Sequence, residues 1–173
     1  MYLLDTSVAS VAATPSSPKH VAVQSFLNGT PMFADELFLS TVTIAEVQLG
    51  LHLLPHKLPA PSAQSIADVR QKALLIGQLG TILPVTTHIA HDHARLKIAY
   101  ALQFAPNMLR RGALKGKPVE LWHEGLTAGS LQVTENDLWI AATAITHGLI
   151  LLTADGDHDR MRKADPRLKI FLF

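Results

Sequence analysis

The sequence predicts one α/β domain with a parallel sheet of about five strands flanked by helices. Short apolar runs that are almost continuous, as in strands buried on both faces of a parallel sheet, alternate with longer segments of helical periodicity. The chain has 173 residues, of which 48% are hydrophobic and 17% charged, and this fits a single well-packed domain over residues 1–173.

Apolar runs supply the candidate strands. The first run starts almost at the beginning of the chain and is followed at once by Asp5. Pro84 lies in the third run and indicates an edge strand, because proline cannot donate a hydrogen bond to a neighbouring strand. The runs are Tyr2–Leu4, Leu37–Val42, Gly80–Val85, Leu149–Leu152 and Leu168–Phe173.

Segments with apolar residues at helical spacing separate these runs. The last long segment lies between Thr134, a candidate N-cap, and Gly148, a natural helix terminator. Two segments in the first half of the chain, separated by prolines, predict a helical hairpin. The segments are Val8–Ala13, His20–Leu27, Thr43–Leu51, Ser62–Leu79, Thr87–Phe104, Thr134–His147 and His158–Lys163.

Composition excludes several classes of protein. The formal net charge of +1 is unlike that of a uniformly basic nucleic-acid-binding protein, and the absence of cysteine rules out disulfide scaffolds and thiolate metal sites. The first residues include Asp5 and no basic residue, which is unlike a signal peptide. The longest uncharged apolar run, Leu138–Leu152, is too short to span a bilayer. We therefore expect a cytoplasmic protein with no membrane partner.

Four acidic residues fall where the carboxyl edge of the sheet should lie. Right-handed crossovers bring all strand ends to that edge, and open α/β sheets bind their ligands there. Two of the acids directly follow strands, and two lie in the first turns of helices. They are Asp5, Glu46, Asp137 and Asp155.

Each acid alone has a structural explanation. Glu46 and Asp137 have capping-box spacing from Thr43 and Thr134, and an aspartate can end a strand by forming an Asx-turn. Together, however, four carboxylates at one edge repel each other, and no basic residue lies near them in sequence. A divalent cation resolves this repulsion, and oxygen ligands without cysteine favour Mg²⁺ or Mn²⁺. Such a site polarises a phosphodiester and activates a water molecule.

The segments around these acids carry a family resemblance that runs in order over essentially the whole chain. With them the chain resembles PIN-domain ribonucleases, especially the VapC-type toxins of bacterial and archaeal toxin–antitoxin pairs. The third segment is the specific one. The segments are Leu-Leu-Asp5-Thr-Ser, Thr-Ile-Ala-Glu46 with Gly50, Asn-Asp137-Leu-Trp-Ile-Ala-Ala-Thr-Ala, and Leu-Leu-Thr-Ala-Asp155.

The resemblance implies a Rossmann-like sheet with an acidic pocket that binds Mg²⁺ or Mn²⁺. It also implies endonucleolytic cleavage of RNA, a homodimer, and inhibition by a cognate antitoxin protein. The four acids fall on the family's acidic quartet, so the expected catalytic residues and metal ligands are Asp5, Glu46, Asp137 and Asp155.

The chain departs from the family pattern after the fourth acid. It continues as Gly156-Asp157-His158-Asp159, where the family often has an acid or amide followed later by Phe. Asp155 and Asp157 are therefore alternative fourth ligands. We favour Asp155 because it directly ends a strand, and Asp157 would then bind metal through water.

A second departure is a stretch of irregular sequence at about residues 105–130, which resembles an insertion into the family pattern. Its basic residues and Trp122 are candidates for contact with RNA phosphates. The alternative is a solvated surface loop with no role in binding. The basic residues are Arg110, Arg111, Lys115 and Lys117.

Hydroxyl side chains adjoin two of the acids. Thr6 and Ser7 follow Asp5, and Thr153 precedes Asp155 by two positions. They either cap local structure or orient a substrate or water in the pocket.

Histidines offer a weaker signal. His158 lies near the acids in sequence and is a candidate for substrate contact. His88, His91 and His93 are close together, but no further residue has the spacing that a zinc site would require.

Other functional classes match the sequence less well. A receiver domain requires an acidic pair after the first strand, and a haloacid-dehalogenase-type phosphatase requires Asp-x-Asp there, whereas this chain has Asp5-Thr6-Ser7. Two alternatives within the PIN fold stay open: a nuclease outside a toxin–antitoxin pair, and a module that only binds RNA or protein. Incubation with RNA, with and without metal, distinguishes them.

Overall fold

The structure, a computed structural model, describes residues 1–29, 36–106, 117–119 and 133–173. Within these ranges the predicted fold class is confirmed. Five strands form one parallel sheet in the order β3-β2-β1-β4-β5. The strands are β1 Tyr2–Leu4, β2 Leu37–Ser40, β3 Thr81–Leu83, β4 Ile150–Thr153 and β5 Lys169–Leu172.

Seven α-helices lie in the described part of the chain, and each is close to its predicted position. The third and fourth pack against each other as the predicted hairpin, with a 3₁₀ turn between them at Leu54–His56. No described helix has the length and apolar character needed to cross a membrane. The helices are α1 Thr6–Ala12, α2 His20–Asn28, α3 Thr41–Leu53, α4 Ala63–Gly77, α5 Thr87–Phe104, α6 Glu135–His147 and α7 His158–Ala164.

The strand order reverses between β1 and β4. From β1 the chain proceeds to β2 and β3 on one side, and β4 and β5 lie on the other side. β3 is an edge strand, as Pro84 predicted. Ligands of open α/β sheets bind outside the carboxyl ends of the strands at such a reversal point. Asp5 follows β1 and Thr153 ends β4, so both residues lie at this point.

The central strands are buried on both faces. Leu3 and Leu151 pack into a core with residues of α5 and α6, whereas Leu4 and Leu152 pack into a second core with residues of α1 and α4. All four side chains are 0% exposed. Burial of one such side chain contributes about 1.5–3 kcal/mol, so the two cores fix the strand ends that carry Asp5 and its neighbours.

The predicted start and end of α6 are confirmed. Thr134 is the N-cap and forms a capping box with Asp137, because each side chain accepts a hydrogen bond from the other residue's backbone N–H. Gly148 ends the helix in the left-handed conformation, with φ of 65°. Local sequence signals therefore determine the position of Asp137.

The capping box predicted for Thr43 and Glu46 is wrong. Helix α3 begins at Thr41, and its N-cap is Ser40, whose hydroxyl accepts from the Val42 N–H at 3.2 Å. The strand before it ends earlier than predicted, so the helix starts earlier and Thr43 is buried inside it. Glu46 consequently lies further along α3, past its first turn.

Most of the predicted insertion at 105–130 lies outside the described residues. Lys117 is described, and its backbone oxygen accepts from Lys97 Nζ at 3.0 Å. The insertion and its role in RNA binding stay predictions. The other named residues of this stretch lie outside the described ranges: Arg110, Arg111, Lys115 and Trp122.

Candidate metal centre

Three side chains from separate parts of the chain meet at the carboxyl edge of the sheet. Asp5 directly follows β1, Asp137 lies in the first turn of α6, and His158 is the first residue of α7. One ligand atom of each lies within 4.8 Å of the other two. Among the described residues, no other group of three or more acidic or histidine side chains has this spacing.

The ligand atoms are close together but are not hydrogen-bonded to one another. His158 Nε2 lies 3.9 Å from Asp5 Oδ1 and 3.9 Å from Asp137 Oδ1. A hydrogen bond between nitrogen and oxygen has a length of about 2.7–3.2 Å. The side chains of His158 and Asp5 are 2% and 4% exposed, whereas that of Asp137 is 21% exposed. Asp137 is therefore the most accessible member of the group.

Two hydroxyl groups hold the carboxylate of Asp5. Ser7 Oγ donates to Asp5 Oδ2 at 2.6 Å, and Thr153 Oγ1 donates to the same oxygen at 3.0 Å. Ser7 Oγ also accepts from the Ala154 N–H at 3.0 Å, which links α1 to the end of β4. Asp5 is itself the N-cap of α1, so Ser7 orients the acid and does not cap the helix. Oδ1, which receives no hydrogen bond from a described residue, faces His158.

Asp137, like Asp5, accepts its hydrogen bonds from described residues through only one of its two carboxylate oxygens. Its Oδ2 accepts from the Thr134 N–H at 2.7 Å and from Thr134 Oγ1 at 2.8 Å, whereas its Oδ1 faces His158. Burial raises the pKa of the Asp137 carboxyl, and the Asp5 carboxylate acts in the same direction; the Thr134 bonds and His158 offset only part of this. The ionised form is therefore costly here, and a bound cation would relieve that cost.

Glu46 lies next to the group but contributes no ligand atom to it. Its Oε1 accepts from Asn136 Nδ2 at 2.9 Å, and its Oε2 accepts from Thr6 Oγ1. Because Thr6 follows Asp5 and Asn136 precedes Asp137, Glu46 connects the chain neighbours of both acids of the group. It also borders a cavity of about 280 Å³ between α1, α3 and α4.

Asp155 is not part of the group formed by Asp5, Asp137 and His158. It is exposed, and its Oδ1 accepts from the Asp157 N–H at 2.9 Å, which is the Asx-turn expected at a strand end. Its side chain borders a depression shared with Arg162 and Phe171. Asp157 contributes no ligand atom to the group either. The choice between Asp155 and Asp157 as a fourth ligand stays a prediction.

A second acid in the first turn of α6 has a different environment. Glu135 Oε1 lies 2.9 Å from His93 Nε2 and 2.8 Å from Lys97 Nζ, and its Oε2 accepts from the Val119 N–H at 3.0 Å. Burial acts to raise the pKa of Glu135, but these bonds outweigh it and lower the pKa to about 2. Glu135 therefore joins α5 to α6 as an ionised, paired acid.

The sequence predicted two members of the group, Asp5 and Asp137, as metal ligands, and it indicated only substrate contact for the third, His158. The available signal was the position of this histidine, at the start of a helix directly after β4. No ligand spacing in the sequence links His158 to Asp5 or Asp137, since the three residues belong to segments far apart in the chain.

The fold and the acidic site define the class of protein. A family model described as the PIN domain matches residues 2–164, and the chain therefore belongs to the PIN domain family. This confirms the resemblance drawn from the four acidic segments.

Within this family a short stretch of the chain is similar to a VapC protein. It is 53% identical over 36 residues to Ribonuclease VapC4 of Mycobacterium tuberculosis, and this stretch is 21% of the chain and 28% of that protein. The match thus spans less than a third of the relative's length.

Solved structures are similar over almost the whole chain. FitAcB from Neisseria gonorrhoeae has a TM-score of 0.62 at 25% identity, over 99% of this chain and 96% of that one. VapBC-5 from Mycobacterium tuberculosis, a member of the VapBC family of toxin–antitoxin systems, has a TM-score of 0.57 at 23% identity, over 99% of this chain and 98% of that one. At 23% identity, the similarity to VapBC-5 shows a shared fold.

Proposed function

We propose that this protein is a metal-dependent endoribonuclease and the toxin of a type II toxin–antitoxin pair. The observation that carries the proposal is the group formed by Asp5 Oδ1, Asp137 Oδ1 and His158 Nε2, at the reversal point of a PIN-domain sheet. Similarity to a protein named Ribonuclease VapC4 supports RNA as the substrate.

The group suits a divalent cation. The buried carboxylate of Asp5 and the partly exposed carboxylate of Asp137 lie beside an imidazole nitrogen that has no hydrogen-bond partner among the described residues. Oxygen ligands favour Mg²⁺ or Mn²⁺, and we propose one of these as the cofactor. When bound, such an ion polarises the scissile phosphate and makes a water molecule more acidic.

The surrounding residues would orient these ligands and the substrate. Ser7 and Thr153 hold Asp5 so that one carboxylate oxygen faces the group. Thr6 donates a hydrogen bond to Glu46 and holds it beside the group. We propose that the Glu46 carboxylate accepts the proton of the attacking water. Asp155, exposed at the same edge, would contribute through water, because Mg²⁺ usually keeps several water ligands.

We also propose an antitoxin and a second copy of the chain as partners. Similarity in fold to a VapBC toxin–antitoxin structure supports the antitoxin. The cavity beside Glu46, walled in part by Val47 and Leu54, is our proposed position for an apolar antitoxin side chain. Ile98 and Leu102 on α5 are 48% and 62% exposed, and we propose them as dimer contacts. All of these interactions would occur in the cytoplasm.

Incubation of the purified protein with several classes of RNA tests the nuclease activity. We expect cleavage with Mn²⁺ or Mg²⁺, none with EDTA, and none by Asp5→Asn. Asp68→Asn replaces an exposed acid on α4 and should cleave like the wild type. If no RNA is cleaved in the presence of metal, the protein is instead a PIN module that only binds RNA or protein.

Expression in a bacterial host tests the role as a toxin. We expect the wild type to slow growth, Asp5→Asn to have no effect, and co-expression of the antitoxin encoded beside this gene to restore growth. Normal growth with an active wild-type nuclease would place the protein outside toxin–antitoxin pairs.

A further inference from the structure

We propose that His158 is a direct metal ligand through Nε2. The metal centre would then consist of two carboxylates and one imidazole, and it would favour Mn²⁺ over Mg²⁺. This inference rests on the metal-dependent function proposed above and assigns a ligand outside the expected acidic quartet.

The first observation is a buried nitrogen without a partner. The side chain of His158 is 2% exposed, and its Nε2 makes no hydrogen bond with any described residue. A buried polar atom in this state costs free energy unless something binds it. The lone atom points towards Asp5 and Asp137, which are the two acids proposed to hold the metal.

The hydrogen bonds of Thr153 favour a proton on Nδ1 of the His158 imidazole. Thr153 Oγ1 donates to Asp5 Oδ2 at 3.0 Å and accepts from the Asp155 N–H at 3.0 Å. Thr153 Oγ1 lies 3.4 Å from His158 Nδ1, and with its own proton donated to Asp5 it can accept a hydrogen bond from this ring nitrogen. A neutral imidazole with its proton on Nδ1 has a lone pair on Nε2, which is the form in which histidine binds metals.

The spacing fits ligands around an ion. Ligand atoms about 2.1 Å from one ion lie about 3.0 Å apart when adjacent and about 4.2 Å apart when opposite. Both distances from His158 Nε2 to the carboxylate oxygens, 3.9 Å, fall between these limits.

Each of the three ligand atoms belongs to a side chain that is anchored through its other polar atom. Asp5 is anchored at Oδ2 by Thr153, Asp137 at Oδ2 by Thr134, and His158 at Nδ1 by Thr153 again. Such outer contacts orient metal ligands and fix the tautomer of a ligating histidine. Thr153 thus orients an acid and the imidazole at the same time.

An imidazole ligand changes which ion is preferred. Mg²⁺ is a hard ion that binds oxygen and keeps its water, whereas imidazole nitrogen binds first-row transition ions, a series in which Mn²⁺ is the weakest member. We therefore expect His158 to strengthen the binding of Mn²⁺ more than that of Mg²⁺.

Electron spin-echo spectroscopy of the full chain loaded with Mn²⁺ tests the ligand directly. We expect coupling of a ¹⁴N nucleus to Mn²⁺ in the wild type and none in His158→Phe or His158→Gln. His93→Gln is the matched control, because His93 is also buried beside a carboxylate but lies outside the group. If both His158 variants fail to fold, wild-type protein labelled with ¹⁵N-histidine decides, since the coupling must change to that of ¹⁵N.

Metal titrations test the preference. In His158→Phe the Kd for Mn²⁺ should rise at least about 10-fold, which is the lower end of the loss caused by removing an outer-shell partner. The Kd for Mg²⁺ should change less than about 3-fold, because Mg²⁺ gains little from nitrogen. Equal losses for both ions would overturn the proposal.

The outcomes separate this inference from the function on which it rests. Mn²⁺ binding and RNA cleavage without nitrogen coupling would overturn the role of His158 and leave the nuclease intact. If Mn²⁺ does not bind, or binds equally well to Asp5→Asn, both the ligand and the metal-dependent nuclease are overturned.

Discussion

Glu135 and Asp137 lie in the same turn of α6, yet their environments shift their pKa values in opposite directions. Burial favours a raised pKa for both, but the bonds from His93, Lys97 and Val119 lower the pKa of Glu135 to about 2. For Asp137 burial prevails, and Asp5 adds to it, so its pKa is raised. An acid that is paired with basic side chains, such as Glu135, stabilises the fold. An acid whose pKa is raised and which has no Lys or Arg partner, such as Asp137, is suited to bind a cation.

The acids around Arg167 belong with Glu135 in this comparison. Arg167 Nη1 lies 2.9 Å from Asp92 Oδ1, and its Nη2 lies 2.6 Å from Asp165 Oδ2. The Arg167 hydrogen bonds lower the pKa of Asp165, and they outweigh burial to lower that of Asp92. Asp5 and Asp137 have no comparable partner among the described residues, apart from His158 at 3.9 Å.

The largest expected effect is on RNA cleavage. Asp137→Asn should lower kcat/KM for RNA more than about 100-fold, because a direct ligand contributes more than an outer-shell partner, whose loss costs about 10–100-fold. Glu135→Gln should lower it less than about 3-fold, since Glu135 makes no contact with the group. Steady-state cleavage assays in Mn²⁺ measure both values. Equal losses would mean that the two acids do not differ in role.

Stability should change in the opposite order. Because Glu135 has a folded pKa of about 2 against an ordinary value of 4.5, it contributes stability above pH 4.5 that is lost as the pH falls towards 2. Glu135→Gln should therefore lower the free energy of unfolding by about 2 kcal/mol at pH 7, and the difference from the wild type should shrink below pH 4.5.

Urea unfolding at several pH values measures this difference. Asp137→Asn serves as the contrast, because it removes a charge that burial and Asp5 disfavour, and it should leave stability at pH 7 unchanged or raised. A wild type that is no more stable than Glu135→Gln at pH 7 would contradict the assignment of Glu135 to the fold.

A smaller effect is expected from the hydroxyl that orients Asp5. Ser7→Ala removes the 2.6 Å bond to Asp5 and the acceptor of the Ala154 N–H, so we expect cleavage to fall about 10-fold with the fold retained. Cleavage assays and circular dichroism test this. Ser65→Ala, on the exposed face of α4, is the control. Wild-type activity in Ser7→Ala would show that Asp5 needs no such support.

The smallest effect should distinguish the two candidates for a fourth acid. We expect Asp155→Asn to lower cleavage only about 5-fold, because an acid that acts through water contributes less than a direct ligand. Asp157→Asn should lower it less than about 2-fold, because Asp157 lies further from the end of β4. Cleavage assays on both variants decide the question. The reverse order would make Asp157 the fourth acid.

Local signals made much of this structure predictable. Apolar runs located all five strands, Pro84 indicated the edge strand, and Thr134 with Gly148 marked the ends of α6. The start of α3 was mispredicted because Ser40 and Thr43 are both acceptable caps, and the end of β2 decided between them.

The sequence by itself determined the parallel sheet and the presence of Asp5 and Asp137 at one edge, since these follow from periodicity, capping and the handedness of crossovers. Only the tertiary structure decided which acids have partners. Lys97 reaches Glu135 across 38 positions of the chain, and His158, near one end of the chain, faces Asp5, near the other. Such distances depend on how helices pack on the sheet, and no local pattern of residues encodes them.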